Sequence, residues 1–258
     1  MINFKSIKSN LYPEYLLSVK EILNGFENLK DAEISTENFS FYTSVSSVFS
    51  SKIEGEDIDL DSYIKHKNFG IEFKPDYTKK IDDLYKAYSF AKENNLTEEN
   101  LLAAHKILTK NILDSHLQGV YRITKMYVLT EDGKIEYVAT SPFEVEKEIH
   151  QFFSELKELL SKDLEIEEVF FYAALIHLVF VKIHPMNDGN GRLARLLEKW
   201  FISEKLGEKS WFLQSEKMYY QNHQNYYQNI RQLGLEYETL NWEKSLDFLL
   251  MLPKSIDL

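Results

Sequence analysis

Cysteine is absent from the 258 residues, which excludes disulfides, thiolate metal sites and a cysteine nucleophile, and suits a reducing compartment. Only nine glycines and five prolines punctuate the chain, and it has no Gly/Ser linker, internal repeat or low-complexity tract. Basic residues are short as well: 30 Lys and Arg face 41 Asp and Glu, a formal charge of -11. A protein that tracks a nucleic-acid backbone needs a basic face, so no nucleic-acid partner is expected. Long apolar runs are missing too. The longest, Val169 to Val181, falls short of the roughly 20 residues that cross a bilayer. Met1 to Lys5 lacks the apolar core of a signal peptide, so the expectation is a cytoplasmic protein with no membrane partner. What is present, 44% hydrophobic and 14% aromatic residues, suffices to bury the core of one large domain or two small ones.

Apolar residues recur at three- and four-residue spacing through most segments, which predicts a mainly α fold. Helices are expected at about 11–29, 39–54, 77–94, 98–113, 143–161, 165–183, 190–205, 215–232 and 241–251. One segment breaks the pattern. Met126 to Thr130 and Lys134 to Val138 are β-prone runs around Glu131-Asp132-Gly133, a β-hairpin signal. A lone hairpin is marginal in water, so this one either packs on the helical core or forms a flap over a site.

The stretch from Glu165 to Ile183 is apolar nearly all round, as a central buried helix must be. It runs into His184-Pro185, where the proline disfavours helical geometry for His184 and ends the helix. The next residues are Met186-Asn187-Asp188-Gly189-Asn190-Gly191-Arg192. Gly189-Asn190-Gly191 permits positive φ, so that consecutive N–H groups can converge on an anion, and a helix starts at the same point with its partial positive charge aimed there. Arg192 and Arg195, three apart, share a helix face and can each grip phosphate oxygens with two hydrogen bonds. Asp188 is a hard oxygen ligand suited to Mg2+ bridging phosphates. His184, with an ordinary pKa near 6.5, suits a general base at neutral pH. Singly, each has a bland reading as packed histidine, turn or solvated arginine. Together, in so short a stretch, they specify a phosphate site.

The run His184-Pro185-x-x-Asp188-Gly189-Asn190-Gly191-Arg192-x-x-Arg195 resembles the signature of the Fic (Fido-domain) family. Gly119-Val120-Tyr121-Arg122 before the hairpin, Pro142 to Lys147 after it and Tyr226-Tyr227 downstream extend the likeness over roughly 97–251. The resemblance implies a Fic-type helical bundle with a small β-hairpin flap beside the active site. The chain then divides into an N-terminal helical region 1–96, a catalytic domain 97–251 and a tail 252–258. It further implies a protein adenylyltransferase with ATP as substrate and Mg2+ as cofactor. His184 would deprotonate a Ser, Thr or Tyr hydroxyl of a target protein docked on the flap at about 126–140, and the hydroxyl would attack the α-phosphorus and release pyrophosphate. Asp188 would hold Mg2+, Gly189, Asn190 and Gly191 the phosphates, and Arg192 and Arg195 the terminal ones. Tyr137, Tyr226 and Tyr227 are candidate nucleotide contacts. Met186 stands where the family has Phe, and Ala139-Thr140-Ser141-Pro142 where it often has Pro-Pro.

A second motif, Ser50-Ser51-Lys52-Ile53-Glu54-Gly55, closes the helix expected within about 39–55. Gly55 reads simply as a C′ residue, but a carboxylate in a last helical turn opposes the helix dipole and calls for a cation from elsewhere. Ser-x-x-x-Glu-Gly resembles the inhibitory helix that precedes the core in some Fic proteins, by which Ser50, Glu54 and Gly55 are inhibitory and Glu54 pairs with Arg195. The alternatives are removal of AMP from modified proteins, with Glu54 orienting water, or a non-catalytic ATP-sensing module. Transfer of another nucleotide, phosphocholine or phosphate is a further variant within the family. A metal-dependent hydrolase is disfavoured, since the seven His include no His-Glu-x-x-His. His177 reads as a packed core residue. A homo-oligomer is compatible with all of these readings.

Overall fold

The computed structural model describes residues 3–30, 40–129, 133 and 135–257. Eleven helices occur among them: α1 (Phe4–Leu23), α2 (Phe41–Ile53), α3 (Leu60–Phe69), α4 (Pro75–Glu93), α5 (Glu98–Leu108), α6 (Val145–Leu160), α7 (Ile166–Ile183), α8 (Asn190–Leu206), α9 (Ser215–Gln221), α10 (His223–Arg231) and the single turn α11 (Leu246–Leu249). The mainly helical expectation holds, with one antiparallel hairpin, β1 (Tyr127–Leu129) and β2 (Ile135–Val138). Tyr127 pairs with Val138, Val128 with Tyr137 and Leu129 with Ile135, across a bulge between Val128 and Leu129. Thr130, Glu131, Asp132 and Lys134, most of the expected turn, lie outside the described residues.

The centre is α7. Its residues from Val169 to Phe180 are buried, and α8, α1 and α6 pack around it. Glu165 and Glu168 form a reciprocal capping box that fixes its start, so the entry to the helix is as well defined as its proline stop. Side-chain caps likewise begin α1 at Asn3, α2 at Ser40, α3 at Asp59 and α5 at Thr97. The start of α8 differs, because its N-cap is Gly189, which has no side chain to offer the first N–H groups.

Several boundaries depart from the periodicity. The first helix starts at Phe4 rather than 11 and carries Pro13 inside it. The expected 98–113 helix stops at Leu108, and the expected 215–232 helix breaks at Asn222, whose φ of -110° and ψ of 33° leave the helical basin. The 241–251 segment is mostly 3-10 turns around α11. Helix α3 was not expected: Tyr63 alone is buried along it, too little to make an apolar stripe.

Helix α2 has an unusual buried face. Ser44, Ser46, Ser47, Ser50 and Ser51 are all enclosed. Small hydroxyl side chains let its backbone come close to α4 and α9, and the same helix receives long side chains from α8, whose buried residues Arg192, Arg195 and Lys199 form a basic stripe at helical spacing. Buried cations of this kind require partners: the residues at and just after the end of α2 supply them for the two arginines, and Glu216 on α9 supplies one for Lys199.

Candidate active site

The loop between α7 and α8 is held by its own side chains. Asn190 Oδ1 accepts from the Met186 N–H at 2.9 Å, and its Nδ2 donates to the Met186 carbonyl at 3.0 Å, so this amide braces the loop. Met186 is fully buried in the core. His105 Nε2 meets the Asp188 carbonyl at 2.9 Å while its Nδ1 accepts from the Gly119 N–H at 2.8 Å. Of the two glycines only Gly189 has positive φ, at 76°, whereas Gly191 already lies in the first turn of α8.

His184 sits in the left-handed region at φ 52°, a conformation uncommon for a side-chain-bearing residue. Its Nδ1 lies 3.1 Å from the Val181 carbonyl. A carbonyl only accepts, so Nδ1 carries the proton and Nε2 keeps its lone pair. Burial, only partly countered by that hydrogen bond, holds the imidazole pKa below its ordinary value, so His184 is neutral at pH 7. A neutral, half-buried imidazole with a fixed tautomer is what proton abstraction needs.

Glu54 caps the end of α2, and its Oε1 lies 2.6 Å from Arg195 Nη2. The same guanidinium donates through Nε to Ser50 Oγ at 2.8 Å, through Nη2 to the Ser50 carbonyl at 3.0 Å and through Nη1 to the Tyr226 hydroxyl at 3.3 Å. Burial alone would raise the Glu54 pKa, but Arg195, and after it Arg192, hold it below the usual carboxylate value. A Cβ added to Gly191 would stand 2.6 Å from Glu54 Oε1. The carboxylate therefore lies against the start of α8, where an anion would sit.

A cavity of about 300 Å³ opens here, lined by His184, Asp188, Gly191, Arg195, Glu54, Tyr137, Tyr226 and Tyr227 among others. Hairpin residues Tyr127, Val128 and Glu136 form its rim, so the hairpin both packs on the core and covers the pocket. Tyr137 is buried and donates to the Lys182 carbonyl at 2.7 Å. The Tyr226 hydroxyl lies 3.0 Å from His177 Nε2, and His177 Nδ1 is 2.7 Å from Glu198, so His177 is a buried, partnered histidine. A larger cleft of about 750 Å³ lies between α1 and residues 237–243, but none of the candidate residues lines it.

Gly189, Asn190, Arg192, Ser50 and Gly55 lie outside the pocket lining. Ser50 acts on it through Arg195. Arg192 is turned onto Glu56, whose two oxygens lie 2.7 and 2.6 Å from Nη2, with Lys80 at 3.3 Å on the same carboxylate. Glu56 was not singled out from the sequence, nor was His105. The only signal for Glu56 was its place two residues beyond Glu54.

Among the described residues no group of three or more His, Cys, Asp or Glu could hold a metal by itself. Asp188 nonetheless fits Mg2+, which is held by one or two carboxylates together with substrate phosphates, and the uncapped start of α8 supplies the anion cradle beside it. No described helix is long and apolar enough to cross a membrane.

Residues 95–202 match the sequence model of the Fic/DOC family. A Nematostella vectensis protein named Protein adenylyltransferase Fic is 43% identical over 79 residues, 31% of this chain and 16% of the relative's length. The fold is similar to a Fic family protein from Desulfovibrio desulfuricans G20, with a TM-score of 0.75 at 18% identity over 95% of this chain and 72% of that one. It is similar also to a Fic domain containing signaling protein from Bacteroides thetaiotaomicron, with a TM-score of 0.69 at 20% identity over 93% and 94%. Fic-1 from C. elegans gives 0.70 at 17% identity over 98% and 73%.

Proposed function

The chain belongs to the Fic/DOC family through residues 95–202, and from that premise we propose that it transfers AMP from ATP to a hydroxyl side chain of a target protein. The observation that carries the proposal is the meeting of His184, Asp188, Gly191 and Arg195 around one cavity beneath the hairpin. His184 Nε2 takes the proton of the target Ser, Thr or Tyr hydroxyl. The oxygen forms a bond to the α-phosphorus, the bond from that phosphorus to the bridging oxygen breaks, and pyrophosphate leaves with the electron pair. The protein supplies positioning and charge, as is usual in phosphoryl chemistry. Asp188 would hold Mg2+, which when bound neutralises phosphate charge. The first N–H groups of α8 and the Arg195 guanidinium receive phosphate oxygens.

In the arrangement described, Arg195 is engaged by Glu54 and Arg192 by Glu56. We therefore read residues 50–56 as an autoinhibitory segment within the N-terminal region 1–96, which keeps both arginines from the phosphates. Target docking along the hairpin at about 126–140 would add a strand to its edge. Incubation of wild type and Glu54→Gly with α-labelled and, separately, γ-labelled ATP tests the reading. Protein-bound label from the α position alone, stronger in Glu54→Gly, is expected. Label from the γ position would mean phosphate transfer and overturn it.

A further inference from the structure

Arg122 is nearly fully buried, and no carboxylate pairs with it among the described residues. Leaving a guanidinium enclosed and unneutralised is costly unless its donors are satisfied. They are satisfied by carbonyls from three separate segments. Nε donates to the His184 carbonyl at 2.7 Å, Nη1 to Thr124 at 2.7 Å, and Nη2 to Thr140 at 2.7 Å and Ile183 at 3.3 Å. Its own backbone N–H donates to the Pro185 carbonyl at 2.9 Å, and neighbouring Tyr121 bridges to Met186.

These acceptors form a pattern. A helix leaves its last carbonyls without partners, and those of α7 are taken up from the hairpin side: Lys182 by the Tyr137 hydroxyl, Ile183 and His184 by the Arg122 guanidinium. Thr124 precedes β1 and Thr140 follows β2, so the same guanidinium ties both feet of the hairpin to the carbonyl of the candidate base. Only a planar fork with five donors can meet carbonyls spread this way, and an ammonium cannot. His184 stands at φ 52° at this junction. Such conformations are strained and persist where neighbouring contacts over-determine them.

We propose that Arg122 is a positioning residue that fixes the hairpin and the His184 backbone as one unit, so that a target hydroxyl held on the hairpin meets Nε2 at a set distance. This rests on the AMP-transfer reading for its kinetic consequence but not for its structural one. Arg195, Gly191 and Tyr226 do not touch Arg122, so the phosphate contacts at the start of α8 do not depend on it. A misplacement of about 1 Å costs on the order of 10²-fold in rate.

The test compares Arg122→Lys and Arg122→Met, each in the Glu54→Gly background, by kcat, KM for ATP and hydrogen exchange of the Val138 and Ala139 amides, which bond to Leu235 and Met126 at the hairpin feet. The expected result is a kcat lowered by about 10²-fold in the methionine variant, partial rescue by lysine, an unchanged KM for ATP and faster exchange at both amides. A kcat within twofold of the background in a folded Arg122→Lys protein, or a fall in ATP affinity parallel to the fall in rate, would overturn the proposal. Should Glu54→Gly itself transfer nothing, the AMP-transfer reading fails alone, and exchange together with the His184 ring signals in NMR decides for Arg122. Unchanged exchange and unshifted ring signals in Arg122→Lys would then refute the coupling.

Discussion

Replacing Glu54 by glycine removes one partner from a 2.6 Å ion pair in which Arg195 is fully buried and the glutamate side chain is 28% exposed. A wholly exposed pair contributes about 0–1 kcal/mol and loss of one partner from a wholly buried pair costs about 3–5 kcal/mol. Solvent reaches the carboxylate, so this pair belongs between them, at about 1–3 kcal/mol. Arg195 does not become free to wander, because Ser50 and Tyr226 still hold it. The released free energy therefore goes to phosphate binding, and at about 1.4 kcal/mol per decade it corresponds to roughly 5- to 150-fold in transfer at subsaturating ATP. Initial rates with α-labelled ATP measure it. Glu54→Gln separates charge from bulk, since the amide loses the charge but keeps the volume beside Gly191, and it should fall between wild type and Glu54→Gly. A Glu54→Gly protein that folds, binds ATP and transfers at the wild-type rate would refute the reasoning.

Gly191→Ala should weaken ATP binding at least tenfold even with Glu54 removed, because its Cβ would fill the space at the start of α8 and approach Arg195 Nη1 to 3.2 Å; calorimetric titration checks this. Glu56→Ala leaves the buried Arg192 without its carboxylate, a loss of about 3 kcal/mol, so thermal unfolding should begin about 6–12 °C lower. The pH profile of transfer by Glu54→Gly should have its acid limb below 6.5, since burial depresses the His184 pKa and the base is lost only when protonated. In wild type the lock should not open between pH 6 and 8. The Glu54 pKa is depressed, so its stabilisation is complete above the ordinary carboxylate value and disappears only as pH falls through the lower native one.

Strong local signals were readable and long-range ones were not. Helix α7 was expected at 165–183 and spans Ile166–Ile183, because it is apolar all round and ends at a proline. The loop that follows was legible because its chemistry lies within twelve consecutive residues. Helix α3 was missed because Tyr63 is its only buried side chain, and the break at Asn222 leaves no mark on apolar spacing. Glu56 meets Arg192 across 136 positions and Arg122 meets His184 across 62. Neither contact has a sequence period, since both depend on how α2 and the hairpin dock on the ends of α7 and α8. The serines of α2 were equally opaque: a buried hydroxyl face has no apolar stripe, and its meaning appears only opposite the Arg192, Arg195 and Lys199 stripe.

The most direct test compares Glu54→Gly with Glu54→Gly/His184→Ala, measuring ATP affinity and α-label transfer on the same preparations. The account predicts equal affinity, because the phosphate contacts lie on α8, and loss of transfer by at least about 10²-fold, the contribution of a positioned base. Transfer that survives the loss of His184, with affinity intact, would contradict it.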